Sequence, residues 1–233
     1  MPAARLALLV PLAVLALTAC TGGGEEPVSE EQTPEEVLAG ASDRLSETSG
    51  VQLSLRTAVL PPGVTGVTRA EGVATNAPAF DGTLTVVFAG QNVEVPVIAV
   101  DDTVHAKIPF TTGWSKVDPA DYGAPDPADL VDPATGFPAL LTQTKDLEEG
   151  ESVRGGADNS EVLTTYTGTV PGSAVQQVIP SSSGDSFDVE YLVSAEGELR
   201  KADLTGVFYP GSEEMTYTVS FEDYDTSAEI VAP

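Results

Sequence analysis

From Val51 to Tyr224 the apolar residues recur with a period of two, and this pattern constrains the fold more than any other feature. Val51, Leu53 and Leu55 alternate with Gln52, Ser54 and Arg56, and similar runs follow at 69–77, 83–88, 92–100, 103–110, 162–169, 187–193, 199–206 and 215–224. Successive side chains of a strand point to opposite faces, so each run reads as a strand with one apolar face. Turn signals stand between them at Asp81-Gly82, Ala89-Gly90-Gln91-Asn92, Asp101-Asp102 and Glu196-Gly197. Short strands joined by tight turns predict an antiparallel meander.

Helical signals flank this pattern. Thr33-Pro34-Glu35-Glu36 combines an N-cap threonine, proline at the first helical position and glutamate three residues on, which is a capping box. Val37, Leu38, Ala41 and Leu45 then recur at helical spacing, and Gly50 ends the helix. Between Pro119 and Lys145 the alternation stops, and Asp126-Pro127, Asp132-Pro133 and the segment 137–144 read as short capped helices, as does 171–179. The predicted class is α+β, with a large antiparallel sheet and helices on one of its faces.

One strand departs from simple alternation. In 92–100, Val93, Val95, Val97 and Ala99 lie on one side, with Pro96, Ile98 and Val100 on the other. A strand apolar on both sides is covered on both or lines a cavity. Large fillers are scarce, with 7 Phe, 1 Trp and 2 Met. A smooth aliphatic wall suits an acyl chain, although a valine-rich core accounts for the same composition.

The N-terminus is a separate matter. Arg5 precedes an apolar run from Leu6 to Leu17, short of the ~20 residues that span a bilayer as a helix. A charged start, a short apolar core and small residues before a cut site mark a secretory signal. Leu17-Thr18-Ala19-Cys20 has the order of a bacterial lipobox, in which the thiol is acylated and cleavage leaves Cys20 first. The expected organisation is a signal peptide over 1–19, a lipidated flexible tether over 20–33 and one domain over 34–233. Cys20 is the only cysteine, which excludes an internal disulfide. An anchor of two or three acyl chains, palmitate among them, holds stably where one chain is marginal. The expected location is the extracytoplasmic face of the cell membrane.

Composition excludes several functions. With 36 acidic against 10 basic residues the formal charge is −26, so nucleic acid is repelled, and anionic headgroups are too. Membrane association is therefore assigned to Cys20. His105 is the sole histidine, placed on the polar face of its strand beside Lys107, and no Gly-x-Ser-x-Gly elbow accompanies it. No nucleotide loop is present, and zinc would need more His or Cys than the chain has. Asp118, Asp121, Asp126, Asp129 and Asp132 crowd one segment but lack calcium-loop spacing, and aspartate before proline-rich turns is a capping residue. Paired glycosidase carboxylates would need aromatic platforms that one tryptophan and 6 Tyr do not supply. No enzyme activity, cofactor or metal is expected.

Several stretches carry a family resemblance: Ala77-Pro78-Ala79-Phe80-Asp81-Gly82, Val104-His105-Ala106-Lys107-Ile108-Pro109-Phe110 with Trp114, Asp118-Pro119-Ala120-Asp121-Tyr122-Gly123 leading to Leu130-Val131-Asp132-Pro133, Leu163–Pro171 and Leu199-Arg200-Lys201-Ala202. In their order, behind a lipobox, the sequence resembles the actinobacterial envelope lipoproteins that include LppX and LprG. The resemblance implies a curved antiparallel half-barrel with short helices on its concave face, enclosing an apolar cavity for an acylated lipid or glycolipid carried across the envelope. It implies no catalytic residue. A membrane lipid exporter is the partner expected on the same ground. The cavity wall is expected at Leu84, Val86, Phe88, Val93, Val95, Val97, Val104, Ala106 and Ile108, with Phe137, Leu140, Leu141, Val175, Val178 and Ile179 from the covering helices. Basic residues gathered at its mouth would mark an anionic headgroup, such as a phosphoinositol glycolipid. Scattered ones would favour a neutral lipid such as triacylglycerol. The alternative is an envelope interaction protein without a ligand, which positions a transporter or an envelope enzyme around a solid core.

Overall fold

A computed structural model describes residues 32–156 and 159–233; the expected signal peptide, Cys20 and the expected tether up to residue 31 lie outside the described residues. Helix α1 (Pro34–Glu47) opens the domain. Its capping box forms as its sequence demands: the Thr33 hydroxyl accepts the Glu36 N–H at 3.3 Å, and the Glu36 carboxylate accepts the Thr33 N–H at 2.9 Å. Six strands follow as successive antiparallel neighbours: β1 (Val51–Arg56), β2 (Gly66–Thr75), β3 (Ala79–Phe88), β4 (Gln91–Val100), β5 (Thr103–Ala106) and β6 (Ser115–Val117).

Two 3-10 turns, Pro119–Tyr122 and Pro127–Asp129, lead to α2 (Phe137–Gln143), and the chain returns through β7 (Lys145–Gly155) and β8 (Glu161–Pro171). After α3 (Gly172–Val178) come β9 (Ser186–Ser194), β10 (Leu199–Gly206) and β11 (Met215–Glu222). The strands form one open sheet of eleven, in the order β6-β5-β4-β3-β2-β1-β11-β10-β9-β8-β7. The first and last strands, β1 and β11, lie side by side at its centre, with Leu53 opposite Phe221 and Leu55 opposite Val219. The α+β class and the helix-covered antiparallel sheet are those expected.

Three details differ from expectation. Asp81-Gly82 is not a turn but lies inside β3, and the turn falls at 76–78. Gly82 faces Gly72 across the β2–β3 pair, and a Cβ on either would fall 2.5 Å from the Phe80 ring. The glycines serve a close approach, not a reversal. The edge strands β6 and β7 are the second difference. Every residue of β7 but Leu147 and Gly155 is exposed, so the strand has no apolar face to announce it. Third, β5 is shorter than its apolar run, because the chain turns at Pro109.

The core fills the space between the helices and the covered sheet face. The Phe137 ring of α2 meets Phe221 of β11 edge-on at 5.5 Å, and Phe208 sits between Phe187 at 4.9 Å and Tyr217 at 4.8 Å. Ser42 of α1, itself buried, donates to the Pro138 carbonyl at 2.9 Å and so joins α1 to α2. A charged clamp fastens the end of α1 to the C-terminal segment. Arg44 Nη2 lies 2.7 Å from Glu198 and 2.9 Å from Asp225, while Arg200 Nη2 reaches the other Glu198 oxygen at 2.9 Å. The Tyr224 ring faces both guanidiniums, 5.0 Å from that of Arg44 and 5.7 Å from that of Arg200.

Phe221→Ala opens a cavity where β1, β11 and α2 meet, and should cost about 3–5 kcal/mol by chemical denaturation. Val153→Ala on exposed β7 should change stability by less than ~0.5 kcal/mol. Equal effects would show that the β11–α2 contact does not organise the core.

Candidate functional site

The helix-covered face of the sheet is the surface that distinguishes this fold. Cross-strand register aligns it across β3 and β4: Phe80 opposite Ala99, Gly82 opposite Val97, Leu84 opposite Val95, and Val86 opposite Val93. On β5, Ala106 adjoins Val97 and Val104 adjoins Ala99. Burial along this surface is graded. Phe80, Val97, Ala99, Val104 and Ala106 are buried, under the 3-10 turn at Pro127–Asp129 that packs on β2, β3 and β4. Leu84, Val86, Val93 and Val95 are only half-buried, and Phe88 at the strand end is 65 % exposed. The result is an aliphatic strip that runs from the core to the end of the β3–β4 hairpin. Leu55 of β1 and Leu60 in the β1–β2 loop, which were not expected in the site, are also half-buried against the core.

The expected wall residues therefore differ in their surroundings. Val97, Val104 and Ala106 form the buried end of the strip, while Leu84, Val86, Val93 and Val95 form its open part and Ile108 is half-buried in the loop after β5. The helix residues Phe137, Leu140, Leu141, Val175, Val178 and Ile179 are all buried in the central core. An acyl chain would reach them only if the helices parted from the sheet. Phe88 is a rim residue rather than a wall residue.

Two surface clefts lie elsewhere. One of about 260 Å³ opens between the acidic turns and α3, and among the expected wall residues only Val178 lines it. The other, about 270 Å³, is on the opposite face of the sheet, between Glu161, Leu163, Arg200, Lys201 and Glu222. Both fall short of the roughly 300–1,000 Å³ of ligand pockets.

The acidic segment behaves as a set of caps. Asp118 accepts the Ala120 N–H at 3.0 Å, and Asp126 the Ala128 N–H at 2.9 Å. Asp132 accepts from Ala134 N–H at 2.8 Å, Thr135 N–H at 2.9 Å and the Thr135 hydroxyl at 3.0 Å. Desolvation pushes the Asp132 carboxyl up, but these donors outweigh it and hold the group below the ordinary carboxylate range. Asp129 goes the other way: partial burial raises it, and Asp126, Asp132 and Asp102 add repulsion. Among the described residues no group of three or more His, Cys, Asp or Glu could hold a metal ion. His105 is half-buried rather than exposed, between Ile98 and Lys116 on the neighbouring strands, and its Nδ1 has no hydrogen-bond partner. Of the basic residues, Arg44, Arg69, Arg200 and Lys201 are ion-paired with neighbouring carboxylates.

An open antiparallel sheet with helices packed against one apolar face is also the fold of known lipoproteins to which this chain is similar. Residues 33–230 match the profile of the LppX_LprAFG lipoprotein family, and the chain belongs to that family. Among solved structures it is similar to LprF from Mycobacterium bovis, at 14% identity over 86% of this chain and 96% of that one, with a TM-score of 0.67. It is similar also to the lipoprotein LppX from Mycobacterium tuberculosis, at 17% identity over 85% and 98% of the two chains, with a TM-score of 0.62. No curated protein sequence matches. Among the described residues no helix is long and apolar enough to cross a membrane.

Asp129 supplies a pH test. Its carboxyl is raised in the fold, so its ionisation opposes folding: stability is fully present below the unfolded pKa of about 3.9 and declines as pH rises past it. Asp129→Asn should therefore raise the melting temperature at pH 7 and leave it unchanged near pH 3. A loss at pH 7 would mean that the carboxylate is favourably held.

Proposed function

We propose that the protein is a lipid carrier anchored through Cys20 at the extracytoplasmic face of the cell membrane. It takes the acyl chain of a lipid or glycolipid on the strip formed by Leu84, Val86, Val93 and Val95 and carries it through the envelope. The observation that carries this reading is the graded burial of the strip, an aliphatic surface continuous with the core yet left half-open at one end. Membership of a lipoprotein family supports it. Each methylene removed from water contributes about 0.8 kcal/mol, so a chain of ~14 gains roughly 11 kcal/mol once it is fully covered. Leaving the bilayer costs about as much, so transfer runs near balance and the protein lowers the barrier. No reaction step is required.

The ion-paired state of Arg44, Arg200 and Lys201 leaves these cations turned to carboxylates rather than gathered at the strip. That favours a neutral, acyl-rich lipid over an anionic headgroup. An exporter of such lipids is the expected membrane partner. A second reading, an interaction protein without a ligand, has one observation in its favour. The six helix residues expected in the wall are packed core instead.

Native mass spectrometry of the protein from a related host separates the readings. A non-covalent lipid should leave the wild-type chain on mild activation, and the same spectrum should show the diacylglyceryl mass on Cys20. Leu84→Trp and Val95→Trp should abolish lipid retention with stability nearly unchanged. Val97→Trp, at a buried position, should cost about 1–3 kcal/mol through overpacking. A wild-type chain that carries no lipid would leave the interaction reading standing.

A further inference from the structure

Of the three strongly exposed aromatic residues, Tyr122 lies in the 3-10 turn after β6, while Phe88 and Phe110 share one end of the sheet. Every phenylalanine of the domain is buried except Phe88 and Phe110, and the latter is fully exposed. Because β1 to β6 are successive antiparallel neighbours, the β1–β2, β3–β4 and β5–β6 connections emerge at the same end of the strands. Val59, 71 % exposed, belongs to the first connection, Phe88 to the second and Phe110 to the third. Val59, Phe88 and Phe110, three of the exposed large apolar side chains, thus share one rim. The aliphatic strip ends there, since the Val86–Val93 pair lies next to Phe88 along the β3–β4 hairpin.

Phe110 is held in place. It occupies a turn closed by the Thr111 N–H to the Ile108 carbonyl at 3.2 Å, and the Thr111 hydroxyl donates to the same oxygen at 2.8 Å. Its φ is +65°, a conformation costly for a bulky side chain and usual for glycine at that corner of a turn. Backbone strain that presents an aromatic ring to solvent gives no packing return and points to function. Trp114 closes the same loop, with Lys107 Nζ 4.8 Å from its ring centroid.

Charge sets the rim apart. In a chain of 36 acidic residues, segments 57–65, 89–90 and 107–114 contain none, and Lys107 is their one charge. The turns at the opposite end carry Asp101, Asp102 and Glu196, and β11 exits there into Asp223 and Asp225. Glu213 and Glu214, in the β10–β11 connection, mark where the acid-free rim stops. An anionic leaflet repels every acidic surface of this molecule but admits a neutral rim with one lysine. Tryptophan and lysine are the side chains that settle at the level of the headgroups.

We propose that this rim is a membrane-docking surface, through which Val59, Phe88 and Phe110 enter a phospholipid leaflet while Trp114 and Lys107 rest at its headgroups. It rests on the carrier reading in one respect: docking here sets the open end of the strip against the leaflet, so that an acyl chain passes without crossing water. The bilayer contact itself needs no bound lipid.

Trp114 is the chain's only tryptophan and reports the contact directly. The full-length lipoprotein is reconstituted into phosphatidylcholine vesicles with brominated acyl chains, and tryptophan emission is recorded. Wild-type emission should be quenched and shifted to the blue. The double variant Phe88→Asp, Phe110→Asp should lose most of the quenching with an unchanged melting temperature, and Val162→Asp, an exposed position at the opposite end, should keep it. Unquenched wild-type emission, as expected if a protein partner covers the rim, overturns the proposal. So does a double variant quenched like the wild type. A wild-type chain that is quenched but carries no copurified lipid sustains docking while removing the carrier reading, so the two failures are distinct.

Discussion

The antiparallel pairing of β1 with β11 joins residues 52–56 to 218–222, and the other parts of the domain take their places from it. It turns two meanders, β1 to β6 and β7 to β11, into one sheet with a continuous apolar face. Closing so long a loop costs conformational entropy before any contact returns it. The reward is concentrated at the seam, where Leu53, Val219 and Phe221 are almost fully buried and Phe221 meets Phe137 of α2. The clamp of Arg44, Glu198 and Arg200 around Tyr224 fastens the same seam from its end. With the first and last strands paired at the sheet centre, its margins are left to differ.

They do differ, and the difference supports a function. On the β8–β9 side, α2 and α3 pack directly on the sheet, and residues such as Tyr166 and Val170 are buried. On the β3–β4 side the cover is a single 3-10 turn, and it protects only the lower part of the strands. Exposed aliphatic area costs about 25 cal/mol per Å², so a strip left half-open next to a rigid core carries a standing cost that a bound acyl chain would remove.

Much of the fold was legible, because alternation records burial on one face. Strands β1 to β4 and β8 to β11 announce themselves through residues such as Val51, Leu53, Leu55 and Phe187, Val189, Tyr191. Strand β7 did not, because Asp146, Glu148, Glu149 and Glu151 form an edge with no buried face, although charge there suits an edge that must not pair further. Gly82 read as a turn because sequence does not distinguish a glycine that reverses the chain from one that admits a ring. For the candidate site, the sequence gives residue types and not their degree of cover: Val93, Val95 and Leu84 are half-buried, whereas Phe137, Leu140 and Leu141 are packed core. The two roles demand the same residue types at the same spacing, and only the helix–sheet distance separates them. The rim went unread for a related reason: Val59, Phe88 and Phe110 are far apart in sequence, and the alternation of hairpin ends brings them together.

The central claim is that an acyl chain lies on the β3–β4 strip. A photoactivatable fatty acid, carbene-forming along its chain, tests it most directly when it is bound to the protein, irradiated and mapped by peptide mass spectrometry. The account predicts adducts within 84–88 and 93–97, competed by unlabelled lipid. Competed adducts confined to α2 and α3, or no competed adducts at all, would contradict it.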